Sequence, residues 1–267
     1  MFRKLLFVLL VIVAAAGCSQ SNQPSTNNLE DVTPAETVEL LISAAASLTD
    51  SLNEIQAVYE KEHPIKLSFN FGASGALQQQ IEQGAPADLF LSAGKKQMTA
   101  LVDKQLIDSN KQTNLLTNEL VMIVPSDSSL VMNTMDDIAQ SDVKKIAIGE
   151  PETVPVGTYT RDSLTSYKIW DAIQPKVVFA KDVRQVLSYV ETGNTEIGFV
   201  YKTDALTSQK VTIALTADPT SHKPIEYPLG IIKASKHAKE AEEFYNYLQS
   251  EAAQAIFLKY GFNLPNQ

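Results

Sequence analysis

The sequence predicts an α/β protein of two lobes, and three observations carry that expectation. Apolar runs of strand length alternate with stretches whose apolar residues recur at helical spacing. The scheme occurs in two blocks, which meet near Asn118 and again near Tyr227. Roughly 230 residues follow Thr37, enough for two units of about 100–130 residues around a cleft.

The elements can be taken in order. "TVELLISAAAS" reads as a buried strand over 38–43 running into small residues. A helix follows from near Ser47, with Leu48, Leu52, Ile55 and Tyr59 on one face, and Ser47 with Asp50 resembles a capping box. "IKLSFNF" is a second strand. A short helix then starts near Ser74, carries Leu77 and Ile81 on one side and stops at Gly84. "ADLFLSA" is a third strand, so the first block predicts a parallel sheet with right-handed crossovers.

"ELVMIVPSD" opens the second block. "KKIAIG" leads through a loop into another helix. A strand over 177–179, a helix from Val183 with Val186, Leu187 and Val190 on its apolar face, and a strand over 197–201 repeat the pattern. "YPLGIIKAS" and two terminal helices, "KEAEEFYNYLQS" and "EAAQAIFLKYGF", complete the chain, whose end is expected to pack on the first lobe.

The N-terminus predicts export. Arg3 and Lys4 precede twelve apolar residues, 5–16, too few to span a bilayer as a helix, and "AAGC" ends at Cys18, the single cysteine. That arrangement predicts a signal peptide over 1–17 and a lipidated Cys18. The polar stretch to Glu36 would be a disordered tether. The first lobe is then expected at 37–118 plus 227–267, and the second at 119–226. With one cysteine, no internal disulfide or thiolate metal site is expected. The net charge of −9 becomes −11 without Arg3 and Lys4, which argues against nucleic-acid binding.

Open α/β sheets bind ligands beyond the carboxyl ends of their strands. The residues expected there are Ser47, Ser74, Val156, Val183 and Tyr201. Four of the five also open a helix, where unpaired N–H groups and the helix dipole favour an anion. The first four places hold no Lys or Arg. Arg184 lies one residue into its helix and is expected in a salt bridge or on a solvated face.

The motif "FGASGAL" comes close to the G-x-S-x-G elbow of hydrolases, but its second glycine is one residue early. A nucleophilic Ser74 would also need a base, and His63 lies at the far end of the Ser47 helix, about 20 Å away at 1.5 Å per residue. His63, His222 and His237 are read as surface residues, and Asp88 as a structural turn residue. From periodicity alone, Ser47 and Ser74 could equally be simple helix N-caps, and Tyr201 a core aromatic.

Five ordered segments add a resemblance: "AAASLTDSLNEI", "GAPADLFLSA", "GEPETVPVGTYT", "KDVRQVLSYVETGNTEIGFVY" and "EYPLGIIK". Together they resemble the periplasmic molybdate-binding proteins of ABC importers, over essentially all of 38–262. The resemblance implies a two-lobed type II solute-receptor fold with two hinge strands. It implies a tetrahedral dianion held by neutral donors from Ser47, Ser74, Val156, Val183 and Tyr201. It also implies a monomer that delivers molybdate to a membrane permease with a cytoplasmic ATPase, without catalysis and without a cofactor. Relatives often carry a serine-rich run at "GASGA", and some have alanine at Val156.

Each hydrogen bond to a charged group contributes about 1.5–3 kcal/mol, so several donors suffice for micromolar or tighter binding. Distant acidic charges are screened beyond about 8 Å. A donor-only site would disfavour protonated phosphate, sulfate would have to be rejected by size, and tungstate would bind nearly as molybdate does. A sulfate or tungstate receptor is the alternative within this class. A serine-dependent lipoprotein hydrolase is the remote one.

Overall fold

A computed structural model describes residues 37–140 and 143–265; the signal, Cys18 and tether expectations lie outside the described residues. The chain from Thr37 forms one compact unit built on two five-stranded sheets.

β1 (Val38–Ala45) ends in a 3-10 turn, Ala46–Leu48, which feeds α1 (Thr49–Glu62). β2 (Ile65–Gly72) leads into α2 (Ser74–Glu82), then β3 (Leu89–Leu91), α3 (Lys95–Asp103) and β4 (Ile107–Thr117). The second sheet begins with β5 (Leu120–Pro125), followed by α4 (Asp137–Gln140) and β6 (Ile146–Gly149). α5 (Pro155–Ser166), α6 (Trp170–Ile173), β7 (Val177–Ala180), α7 (Val183–Glu191) and β8 (Ile197–Tyr201) come next. α8 (Lys202–Leu206) and β9 (Val211–Thr216) finish that block. β10 (Glu226–Ile232), α9 (Ala238–Tyr247) and α10 (Glu251–Lys259) close the chain.

The first sheet runs β2-β1-β3-β10-β4 and the second β7-β6-β8-β5-β9. β1 is parallel to both β2 and β3, as expected for βαβ crossovers. The sheet as a whole is mixed, however, because β10 pairs antiparallel with β3 and β4. A late strand that returns from the second sheet fills the position beside β3, and its direction is set by that return. β5 likewise runs antiparallel to β8 and β9.

The central strands are buried on both faces, from Ile42, Ser43, Ala44 and Ala45 in β1 to Val121, Met122 and Ile123 in β5, where largely apolar runs are required. Two connections join the sheets: β4 to β5 through Asn118, and β9 to β10. Near them the Asn118 N–H donates to the Ile225 carbonyl at 3.2 Å, and Thr117 pairs with Asn263 near the chain end. α10 lies on α1, where Glu54 accepts from Lys259 and from the Tyr260 hydroxyl.

Candidate functional site

Three of the five expected residues are tied together through two others, by three hydrogen bonds and one ring contact. The Ser47 Oγ lies 2.9 Å from the Tyr227 hydroxyl. The rings of Tyr227 and Tyr201 meet edge to face at 5.6 Å. The Tyr201 hydroxyl donates to the Ala93 carbonyl at 3.2 Å, and the Ala93 N–H donates to the Ser74 Oγ at 2.9 Å. Ser47, Ser74 and Tyr201 are all buried. Burial holds the Tyr201 and Tyr227 phenols well above the ordinary value, so both keep their protons.

The capping-box reading of Ser47 is corrected here. α1 starts at Thr49 with Leu48 as its N-cap, and Ser47 sits one turn earlier in the 3-10 segment. Its hydroxyl turns to Tyr227 and makes no bond to the helix. Ser74 is likewise the first residue of α2 rather than its cap, which is Ala73. Both serines are therefore spared for other partners.

Val156 and Val183 contribute backbone. Pro155 opens α5 and has no N–H, while Gly157 and Thr158 both donate to the Val154 carbonyl. The Val156 N–H is the remaining donor of that turn. At α7 the Asp182 carboxylate accepts from the Gln185 N–H at 2.8 Å, and the Asp182 carbonyl accepts from Val186. This leaves the N–H groups of Val183 and Arg184 to the first turn. Both valine side chains are buried in the core behind the turns.

Elements of the two sheets meet here. The Gly75 N–H, at the start of α2, donates to the Thr153 carbonyl at 2.9 Å, just before α5. Arg184 joins Asp50 on α1 at 2.5 Å and faces Asp204 on α8 at 2.8 Å. The second pair is an ion pair without hydrogen-bond alignment. Burial raises the Asp204 carboxyl to about 7, with Arg184 opposing the rise. The salt-bridge expectation for Arg184 thus gains two partners in place of one.

Other expected residues lie elsewhere. His63 stacks on Tyr59 at 4.0 Å at the end of α1, and all three histidines are half-buried rather than fully exposed. Asp88 is buried and accepts from the Leu41 N–H and the Ser235 hydroxyl, a structural use. A cavity of about 690 Å³ opens between α3 and α5, lined by Lys95, Lys96, Lys223, Asp162 and Glu226. It holds none of the five expected residues, and its charges are mixed. Sequence reasoning missed the part played by Tyr227 and Ala93. Both contacts span long sequence separations, and no local pattern encodes them.

Two α/β halves, with helix N-termini and buried hydroxyls gathered where they meet, define a solute receptor. The chain belongs to the family of bacterial extracellular solute-binding proteins, which matches residues 40–263. It is similar to YvgL of Bacillus subtilis (strain 168), provisionally named an ABC transporter substrate-binding lipoprotein. The identity is 50% over 266 residues, covering 98% of this chain and 99% of that protein. The molybdate-binding protein ModA of Escherichia coli (strain K12) is 37% identical over 234 residues, covering 86% and 91%. Among solved structures, the substrate-binding domain of a provisionally assigned molybdenum ABC transporter from Clostridium difficile is 46% identical. It superposes with a TM-score of 0.67 over 86% of this chain and all of that one. The fold is the two-lobed one of these binding proteins.

Proposed function

We propose that this chain is an exported receptor that captures molybdate, and tungstate with it, and hands the ligand to the permease of an ABC importer. What supports the reading is a set of uncharged donors, the Ser47 and Ser74 hydroxyls and the first-turn N–H groups of α5 and α7, with the starts of α2 and α5 joined by the Gly75–Thr153 bond. Such a set suits a fully ionised oxyanion, which has acceptors only. The family membership and the molybdate-binding relatives point the same way.

In this reading the five residues bind the anion, with Ser47 and Ser74 from the first lobe (37–118 plus 227–267) and Val156, Val183 and Tyr201 from the second (119–226), the Tyr201 hydroxyl turning from the Ala93 carbonyl to the anion. The anion bridges the lobes and so favours the closed arrangement, because only that arrangement completes its shell. Cys18 carries the lipid that keeps the receptor at the outer face of the membrane. The chain acts as a monomer and performs no chemistry on its ligand.

Thermal unfolding with molybdate, tungstate, sulfate and phosphate tests this. Ligand at 100 times its Kd adds about 2.7 kcal/mol of stability. For a domain of this size that is a rise of several degrees in Tm. Molybdate and tungstate should give the rise, sulfate less and phosphate least. No shift with molybdate, or a larger one with sulfate, overturns the assignment.

A further inference from the structure

We propose that Asn118 and Tyr227 are positioning residues that fix Ser47 as a hydrogen-bond donor toward the bound oxyanion, and thereby set the preference for fully ionised over protonated oxyanions. The proposal rests on reading the cleft as an oxyanion site, and it adds two residues that lie outside the expected set of five.

The argument follows protons outward from the backbone. The Glu119 N–H donates to Asn118 Oδ1 at 2.9 Å. A backbone N–H can only donate, so this contact fixes which end of the Asn118 amide is oxygen. The Nδ2 end must then donate, and it faces two hydroxyls: Thr203 Oγ1 at 2.9 Å and the Tyr227 oxygen at 3.2 Å. Tyr227 therefore accepts from Asn118. It keeps its own proton, since burial pushes the phenol well above its usual value. The acceptor in contact with that O–H is Ser47 Oγ, at 2.9 Å. Ser47 accepts from Tyr227, and its own proton is left to point away from Tyr227.

All four side chains in this relay are buried, so a reversed bond would leave a proton or a lone pair unmatched inside the protein. Ser74 is fixed in the same sense by a shorter route. The Ala93 N–H donates to its Oγ, and the Ser74 proton is left over. Both serines thus turn their proton to the cleft, and each oxygen keeps only one lone pair free, so a protonated oxyanion finds fewer acceptors there. The relay also runs where the sheets are joined. Asn118 lies between β4 and β5, Tyr227 on β10 and Thr203 on α8, so its polarity is fixed when these elements are together.

Two substitutions separate this polarity from packing. Tyr227→Phe removes the donor to Ser47 while keeping the ring that packs edge-on against Tyr201 and Phe262. Ser47 could then accept a ligand proton. Asn118→Asp reverses the relay. The new carboxylate accepts a hydrogen bond from the Tyr227 O–H, Tyr227 accepts from Ser47, and Ser47 turns a lone pair toward the ligand.

The measurement is calorimetric competition between molybdate and inorganic phosphate at neutral pH, using the full mature chain. The ratio of the two affinities is expected to fall by about tenfold in Tyr227→Phe and by more in Asn118→Asp. Phosphate at neutral pH is partly a monoanion, so the added charge of Asn118→Asp lowers the ratio by itself, and Tyr227→Phe, which changes no charge, is the deciding variant. Equal losses for the two anions, or an unchanged ratio with a lower unliganded Tm, overturn the proposal. Failure of the unsubstituted chain to bind molybdate would instead sink the ligand assignment, and the relay would then be read from the sulfate-to-phosphate ratio.

Discussion

The first sheet brings Ser47 and Ser74 to the carboxyl ends of β1 and β2, whereas the second brings Val156 and Val183 to the starts of α5 and α7. One half offers side-chain hydroxyls, which rotate and can donate or accept. The other offers, besides the Tyr201 hydroxyl, backbone N–H groups, whose direction is fixed by the helix and which can only donate. The hydroxyl half therefore needs outside help to hold its polarity, and Tyr227 and the Ala93 N–H sit where that help is required. The backbone half needs close packing that holds its helix starts in place. Substitutions should therefore act differently on the two halves.

The largest effect is expected at Gly157. A Cβ there would lie 2.0 Å from the carbonyl oxygen of Gly149, which is backbone and cannot swing aside. The start of α5 rests directly on the end of β6 at this point. Gly157→Ala should cost about 3 kcal/mol of stability or more in denaturant unfolding, and should abolish ligand binding by moving the Val156 N–H. Full retention of stability would mean that this helix start is not held as the structure has it.

Gly75 gives the matching test in the first half, with a smaller and more selective effect. Its added Cβ would meet the Thr153 carbonyl oxygen at 2.5 Å, an atom contributed by the other sheet. In the proposed reading α2 keeps its place when the halves stand apart, so the clash would oppose their approach rather than folding. Gly75→Ala is expected to lower molybdate affinity by roughly ten- to a hundredfold by calorimetry, at little cost to unliganded stability. A loss of stability like that of Gly157→Ala, with affinity intact, would erase the distinction.

The same contrast governs what could be read in the sequence. Central strands such as β1, β5 and β8 are buried on both faces and show as apolar runs. β4 and β9 did not show, because each is an edge strand with exposed polar residues. Ser47 and Ser74 were legible as hydroxyls at strand-to-helix junctions, although the capping box assigned to Ser47 was wrong. The Tyr227 contact to Ser47 spans 180 residues, and only the folded chain brings the two together. Arg184 was legible as a charge, but its bond to Asp50 on the facing half was not.

The smallest effect on binding is expected at Val156. Its side chain is fully buried in the core, while its N–H belongs to the first turn of α5. Val156→Ala keeps the N–H and removes two methyl groups. Stability should fall by about 1–2 kcal/mol, since buried methyls are lost and the space relaxes only in part. Molybdate affinity should stay within about threefold of the unsubstituted chain. Ser47→Ala is the partner experiment. It deletes the donor itself, a hydrogen bond to a charged group of about 1.5–3 kcal/mol, and so should weaken binding at least tenfold. If Val156→Ala weakened binding as much as Ser47→Ala, the valine side chain would be shaping the pocket, and Val156 would not act through its backbone alone.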